Sequence, residues 1–393
     1  VLLVVGALTS PHAADGSNIF LSSANISDVF RQVANVGVIS IGMTLVIITA
    51  GIDLSVGAIM GLGSVLTAML LTTDGWNRAV YASLVLDAIA VFAIILAMLN
   101  VLRGFMRARE GQANRLAPAA RTPLAMDAGI ALGVAAFACA YIALHGGHRM
   151  PLFAVLWIVP LAGFTLGALN GWIITRGRMQ PFIVTLAAMV GVLGAARLIA
   201  GQDTAVYSIY SGTNATSDIE MLRALLFNVV PVPALFFLVI AAIVSFVMNR
   251  TVFGKYLYAI GGNEKCTVVS GLDVARHKMA AYAISGLLSA LVGVLYAAQY
   301  RQGKADADMG WELDAIAAVV IGGTSLSGGV GRVSGTVAGV LIFGFLINIL
   351  LLKDIDSNTQ LVLKGLIIVI AVFLQQTDVG KRRGWLKRLA ARR

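Results

Sequence analysis

Charge is scarce in this sequence. Asp, Glu, Lys and Arg make up 12% of its 393 residues, against roughly 25% in an ordinary soluble domain. With 59% hydrophobic residues, the chain is neither an aqueous globular domain nor a disordered one. Cysteine is nearly absent. Cys139 and Cys266 fall in different compartments of the expected topology, so a disulfide framework is excluded, and the histidines are scattered singly rather than grouped as metal ligands. No phosphate loop ending in Gly-Lys-Ser/Thr occurs, nor a zinc-binding HExxH, a nucleophile elbow or a dinucleotide fingerprint. These absences count against an enzyme. They also mean that any ATP used is bound by another subunit. The net charge of +10 does not point to nucleic acid, because the basic residues sit in loops and the tail, where membrane topology and anionic lipid account for them.

What is present is a succession of long apolar runs. A helix of about 20 residues crosses the roughly 30 Å hydrocarbon core of a bilayer, and lipid admits only helices and closed barrels. These runs are too long and uniform for barrel strands. The expected fold is therefore all-α, a polytopic transmembrane helical bundle of about 10–12 spans. Val1–Leu8 reads as the end of a first span, and Phe30–Ala50 as the second. Arg103–Arg121, with five arginines and one glutamate, and the tail 380–393, with seven basic residues and no acid, are expected in the cytosol. Ser10–Asp28, Gly201–Asn228 and Arg301–Asp314 suit the outside.

The polar stretch 250–278 lies between the runs Val229–Met248 and Met279–Ala298. Arg250, Lys255, Lys265, Arg276 and Lys278 outnumber Glu264 and Asp273 there. It reads as a cytosolic helical docking element through which a partner moves the membrane helices.

Other motifs interrupt the spans. Gly51-Ile-Asp53-Leu54-Ser55-Val-Gly57 places Asp53 in a hydrophobic setting. An ionisable group there is a functional candidate, for gating or a helix contact. Its simpler role is to cap a helix starting at Leu54. The run Gly322-Gly323-Thr324-Ser325-Leu-Ser-Gly328-Gly329-Val-Gly331-Arg332 reads as a tight turn between crossings, or as unwound backbone lining a path. Glu312 and Asp314 follow Trp311 at the expected outer edge of a span. Acid/base chemistry is one reading; a helix cap beside an interfacial tryptophan is the simpler one. Asn100, Asn170 and Gln299 near span ends suit either a polar substrate or helix–helix hydrogen bonds.

The wording of these motifs is specific. Phe253-Gly254-Lys-Tyr-Leu-Tyr-Ala259-Ile260-Gly261-Gly262-Asn263-Glu264, followed by Ser270-Gly271-Leu-Asp-Val274, resembles the cytosolic segment of ABC sugar importer permeases of the ribose/xylose/arabinose type. Ala50-Gly-Ile-Asp-Leu-Ser-Val-Gly57 and Glu312-Leu-Asp314-Ala-Ile-Ala-Ala318 running into Ile321-Gly-Gly-Thr-Ser-Leu-Ser-Gly-Gly329 resemble the same family's other signatures. The stretch 73–150, which reads as two extra spans around the basic loop, departs from the family's usual pattern.

The resemblance implies an importer permease in a bacterial inner membrane, multi-pass with a cytosolic C-terminus. It would pair with a second permease copy, as a homodimer or a paralogous heterodimer. ABC ATPase subunits would hold ATP and Mg, no cofactor would bind this chain, and a periplasmic binding protein would deliver a pentose or hexose. A branched-chain amino acid cargo, an ion-coupled secondary transporter and a membrane enzyme are the alternatives.

Overall fold

The computed structural model describes residues 2–12, 15–72, 149–201, 206–307, 310–356, 358–370 and 372–373. The chain divides into two compact units, Val1–Leu71 with Pro151–Arg393, and Thr72–Met150. The first is described below. The expected extra spans, with Asn100 and the Arg103–Arg121 loop, lie outside the described residues, as does the tail 380–393.

The described residues form a helical bundle. In chain order the helices are α1 (Leu2–Thr9), α2 (Ser23–Ile48), α3 (Val56–Thr72), α4 (Leu152–Gly177) and α5 (Pro181–Ala200). Then come α6 (Val232–Arg250), α7 (Val252–Gly262), α8 (Glu264–Val269), α9 (Val274–Tyr300), α10 (Trp311–Ile321) and α11 (Val333–Leu352). A last apolar helix, α12, spans Asn358–Ile370. Six of these, α2, α4, α5, α6, α9 and α11, are long and apolar enough to cross a membrane.

The strands are minor. β1 (Val206–Ser208) pairs antiparallel with β4 (Gln302–Lys304), which ties the α5–α6 connection to the chain leaving α9. β2 (Leu225–Leu226) and β3 (Val230–Pro231) form a short hairpin before α6.

Helix starts follow capping chemistry. The Ser22 hydroxyl accepts the Asn25 N–H ahead of α2, and the Asp273 carboxylate accepts the Arg276 N–H ahead of α9. α2 and α9 are the enclosed helices. Ile39, Ile41, Met43 and Ile48 of α2 and Val292, Val294 and Leu295 of α9 have no more than trace exposure. α5 and α6 keep apolar side chains such as Val190, Leu198, Val239 and Phe246 exposed, as lipid-facing helices do.

The tight α4–α9 seam comes from spacing. Gly163, Gly167 and Gly171 recur every fourth residue, hence on one face. They lie against the α9 backbone at Gly286, Tyr282 and Met279, where a methyl group would collide. Small residues at that spacing let helix backbones approach closely.

Two expectations change. The helix that carries the second crossing begins at Ser23, seven residues before the expected Phe30, because the Ser22 side chain caps it there. α10 has 11 residues, about 16 Å at 1.5 Å per residue. It is half a crossing, ended by the glycine run that follows it.

Candidate functional site

The segment 250–278 contains two short helices, α7 and α8. Thr251 caps α7 and Asn263 caps α8, each by accepting a backbone N–H three residues on. Phe253 stacks on His277 at 5.8 Å between ring centroids, and Tyr256 meets the same ring edge-on at 5.0 Å. Gly254 sits against the Met248 backbone, which fixes the corner between α6 and α7. Leu257 and Ile260 are buried. The Ala259 carbonyl accepts the Thr267 hydroxyl at 3.0 Å, folding α8 back onto α7. Gly271 turns the chain with a φ of 82°, a left-handed value that glycine adopts without strain. Glu264 pairs with Lys278 at 2.7 Å.

The end of α2 and the turn before α11 converge on the C-terminal half of α7. Gly261 lies against the Ile48 carbonyl and the Gly329 nitrogen, too close for a side chain. The Gly329 N–H donates to the Ile48 carbonyl at 2.9 Å, and Gly329 itself packs on Gly262. Gly328 meets Ala50, which holds a left-handed φ of 60°. The Tyr258 hydroxyl donates to the Gly331 carbonyl at 2.9 Å. Burial pushes that hydroxyl's pKa up, and nearby Arg332 partly offsets the rise.

The glycine run is a closed turn between α10 and α11. Gly322 packs on Gly335, Gly323 has a φ of 85°, Thr324 is buried, and the Ser325 N–H donates to the Val330 carbonyl at 2.9 Å. Segments more than 200 residues apart in sequence thus meet through backbone contacts at one place.

Asp53 sits deeper. The helix it was expected to cap begins at Val56, not Leu54. Its carboxyl group accepts the Ser55 N–H at 3.1 Å, the Ser55 hydroxyl at 2.6 Å and the Ser285 hydroxyl of α9 at 2.9 Å. The Asn170 amide of α4 donates to the Ser55 hydroxyl at 2.9 Å. Asp53 therefore closes the α2–α3 break and joins it to two neighbouring helices, while half-buried Leu54 takes no part in this network. Gln299 likewise accepts from Asn35 of α2 at 3.0 Å.

Glu312 and Asp314 do not form a carboxylate pair. Glu312 accepts the Gly310 N–H at 3.2 Å and lies against Gly57 of α3. Asp314 pairs with Lys364 of α12 at 2.8 Å. Trp311 is 8% exposed and meets the Tyr296 ring of α9 edge-on at 6.3 Å, so it packs against the bundle.

Sequence reasoning missed Lys364. It also missed Val268 and Val269, which stand 56% and 88% exposed on α8. The signal for the valines was there: an apolar pair in an otherwise polar segment is a contact candidate. Among the described residues, no group of three or more His, Cys, Asp or Glu side chains could hold a metal ion.

A bundle of apolar crossing helices, broken helices inside it and a capped helical element beneath them defines a polytopic membrane permease. The chain belongs to the family described as branched-chain amino acid transport system / permease component, which matches residues 25–109 and 123–372. Curated relatives include the ribose import permease protein RbsC of Bacillus subtilis, 35% identical over 379 residues, covering 96% of this chain and 90% of that protein. The RbsC of Haemophilus influenzae is 31% identical, covering 90% and 85%. The xylose transport system permease protein XylH of Escherichia coli is 33% identical, covering 93% and 87%. No solved structure matches.

Proposed function

We propose that this chain is the membrane-spanning subunit of an ATP-driven importer of a monosaccharide, a pentose or hexose. The permease itself hydrolyses nothing; ATP and Mg belong to a pair of cytosolic ATPase subunits. A periplasmic binding protein delivers the sugar, a second permease copy completes the pathway, and the tail lies in the cytosol of a bacterial inner membrane. The relatives named for ribose and xylose support a sugar cargo.

One observation carries the coupling role: α7 touches the ends of two separate inner segments through backbone at Gly261 and Gly329. With no side chains to absorb a displacement, a push on α7 bears directly on Ile48, where α2 ends, and on the turn leading out of α10. Closure of the ATPases would then tilt the helices between outward- and inward-open states, each state needing its own contacts with nucleotide or loaded binding protein.

The test is recovery of the tagged chain from native membranes in mild detergent, with its companions identified by mass spectrometry. An ABC ATPase in the complex is expected. Repeated recovery of the chain alone, beside a known ABC complex that survives the same treatment, would sink the reading. A sugar screen on the associated binding protein then names the cargo.

A further inference from the structure

The Asp314–Lys364 pair lies where charge is expensive. Asp314 is 6% exposed, in the first turn of half-helix α10. Lys364 reaches it from apolar α12 and lies 5.9 Å from the centre of the Phe343 ring of α11. Other ion pairs among the described residues, such as Lys278–Glu264 and Arg301–Glu220, each have a partner 52% exposed. Ionisable residues within membrane segments are rare and mark function by default.

The position of α10 says what that function is. Its C-terminal end runs into the turn that rests on α7, through Gly329 on Gly261 and Gly262 and through Tyr258 on Gly331. Its N-terminal end carries Asp314. About 15 Å of continuous helix separates the two ends, and a single α-helical segment moves as one body. Whatever shifts the turn shifts Asp314, and Asp314 holds Lys364.

We infer that Lys364 is a positioning residue for transport. With Asp314 it forms a tether inside the membrane, through which movement started at the cytosolic element passes along α10 to α12. The inference rests on the importer reading above. It assigns to α12 a part in the transport cycle beyond filling the bundle.

The experiment reconstitutes the complete importer, with its ATPase and binding protein, in liposomes. Uptake of D-ribose and of D-xylose is measured in parallel with ATP hydrolysis in the same vesicles. The double variant Asp314→Asn/Lys364→Met removes both charges, a change that folded proteins commonly tolerate, whereas removing one partner strands the other. Its thermal midpoint is expected to match the wild type while sugar carried per ATP falls about tenfold, within the range of couplings between sites. Lys364→Arg, which keeps the charge, should retain the ratio. Lys364→Gln keeps a donor to Asp314 without the charge and should lower it, which keeps the test open if the double variant does not assemble. A wild-type ratio in the double variant or in Lys364→Gln overturns the tether and leaves the importer reading standing. Wild-type vesicles with neither sugar uptake nor hydrolysis stimulated by the binding protein overturn both.

Discussion

Gly261 and Gly262 are adjacent, chemically identical and expected to respond oppositely to alanine. A methyl group on Gly261 meets the Ile48 carbonyl and the Gly329 nitrogen, both backbone, whereas one on Gly262 has no atom within 4 Å. Forcing a methyl into a packed contact costs about 1–3 kcal/mol. Separating the two strands of backbone weakens the Gly329–Ile48 hydrogen bond, a further 0.5–1.5 kcal/mol or so. Replacing glycine by alanine in a helix returns up to about 1 kcal/mol. The net for Gly261→Ala is then a loss of roughly 1–3 kcal/mol, and for Gly262→Ala a small gain. A loss near 2 kcal/mol raises the undocked fraction of α7 roughly thirtyfold. The assay is the thermal midpoint of each purified variant in one detergent, followed by ATP-driven sugar uptake. Gly261→Ala should melt several degrees lower and lose uptake in proportion to undocking. Gly262→Ala should melt no lower than the wild type, so any uptake it loses reports a surface occupied by a partner. A Gly261→Ala protein melting at or above Gly262→Ala would refute the backbone-contact reasoning.

Four further outcomes follow from named contacts. Ser285→Ala removes a donor to buried Asp53 and should cost about 1–3 kcal/mol, read as a lower midpoint that Ser289→Ala does not reproduce. Glu264→Gln breaks an ion pair whose acid is half exposed, a change of about 0–1 kcal/mol; a large uptake defect with an unmoved midpoint would place Glu264 against a partner. Val269→Asp alters a side chain 88% exposed and should leave folding intact while weakening ATPase recovery in the pull-down. Asp356 accepts from Thr359 and Asn358 ahead of α12, and the Thr359 bonds hold its carboxyl below the usual range. A depressed pKa in the folded state gives stability that is complete at neutral pH and lost as pH falls through the lowered value. Protection of the Thr359 amide, its exchange rate relative to that of a free chain at the same pH, should drop only in acid.

The membrane class was legible because composition alone decides it. The motifs were legible because glycine and charge stand out in apolar text. Their convergence was not. Nothing at Ile48, Gly261 or Gly329 says that they touch, since contact through backbone leaves no side-chain complementarity to read. Asp53 looked like a helix cap because local spacing is all a sequence displays; its bond to Ser285 spans 232 residues. α10 looked like the start of a crossing because Ala315–Ile321 is as apolar as any span, and only its length separates a half-helix from a whole one. Lys364 lies within the apolar stretch Leu361–Leu374, and its partner lies 50 residues upstream. One clue was available and inverted. The enclosed helices α2 and α9 are less hydropathic than lipid-facing α6, because in a membrane protein polar side chains find partners inside while the outside must satisfy lipid.

The brevity of α10 also bears on how the protein is made. An 11-residue segment with Glu312 and Asp314 in its first turn is too short and too charged to partition into a bilayer by itself. During synthesis it must be held until α11 anchors it, with Asp314 unneutralised for the time it takes to complete the next 50 residues. Only when α12 emerges does Lys364 arrive. A helix made 50 residues later is therefore the one that lets an earlier one settle, and a ribosome that stops short of it leaves Asp314 without its partner.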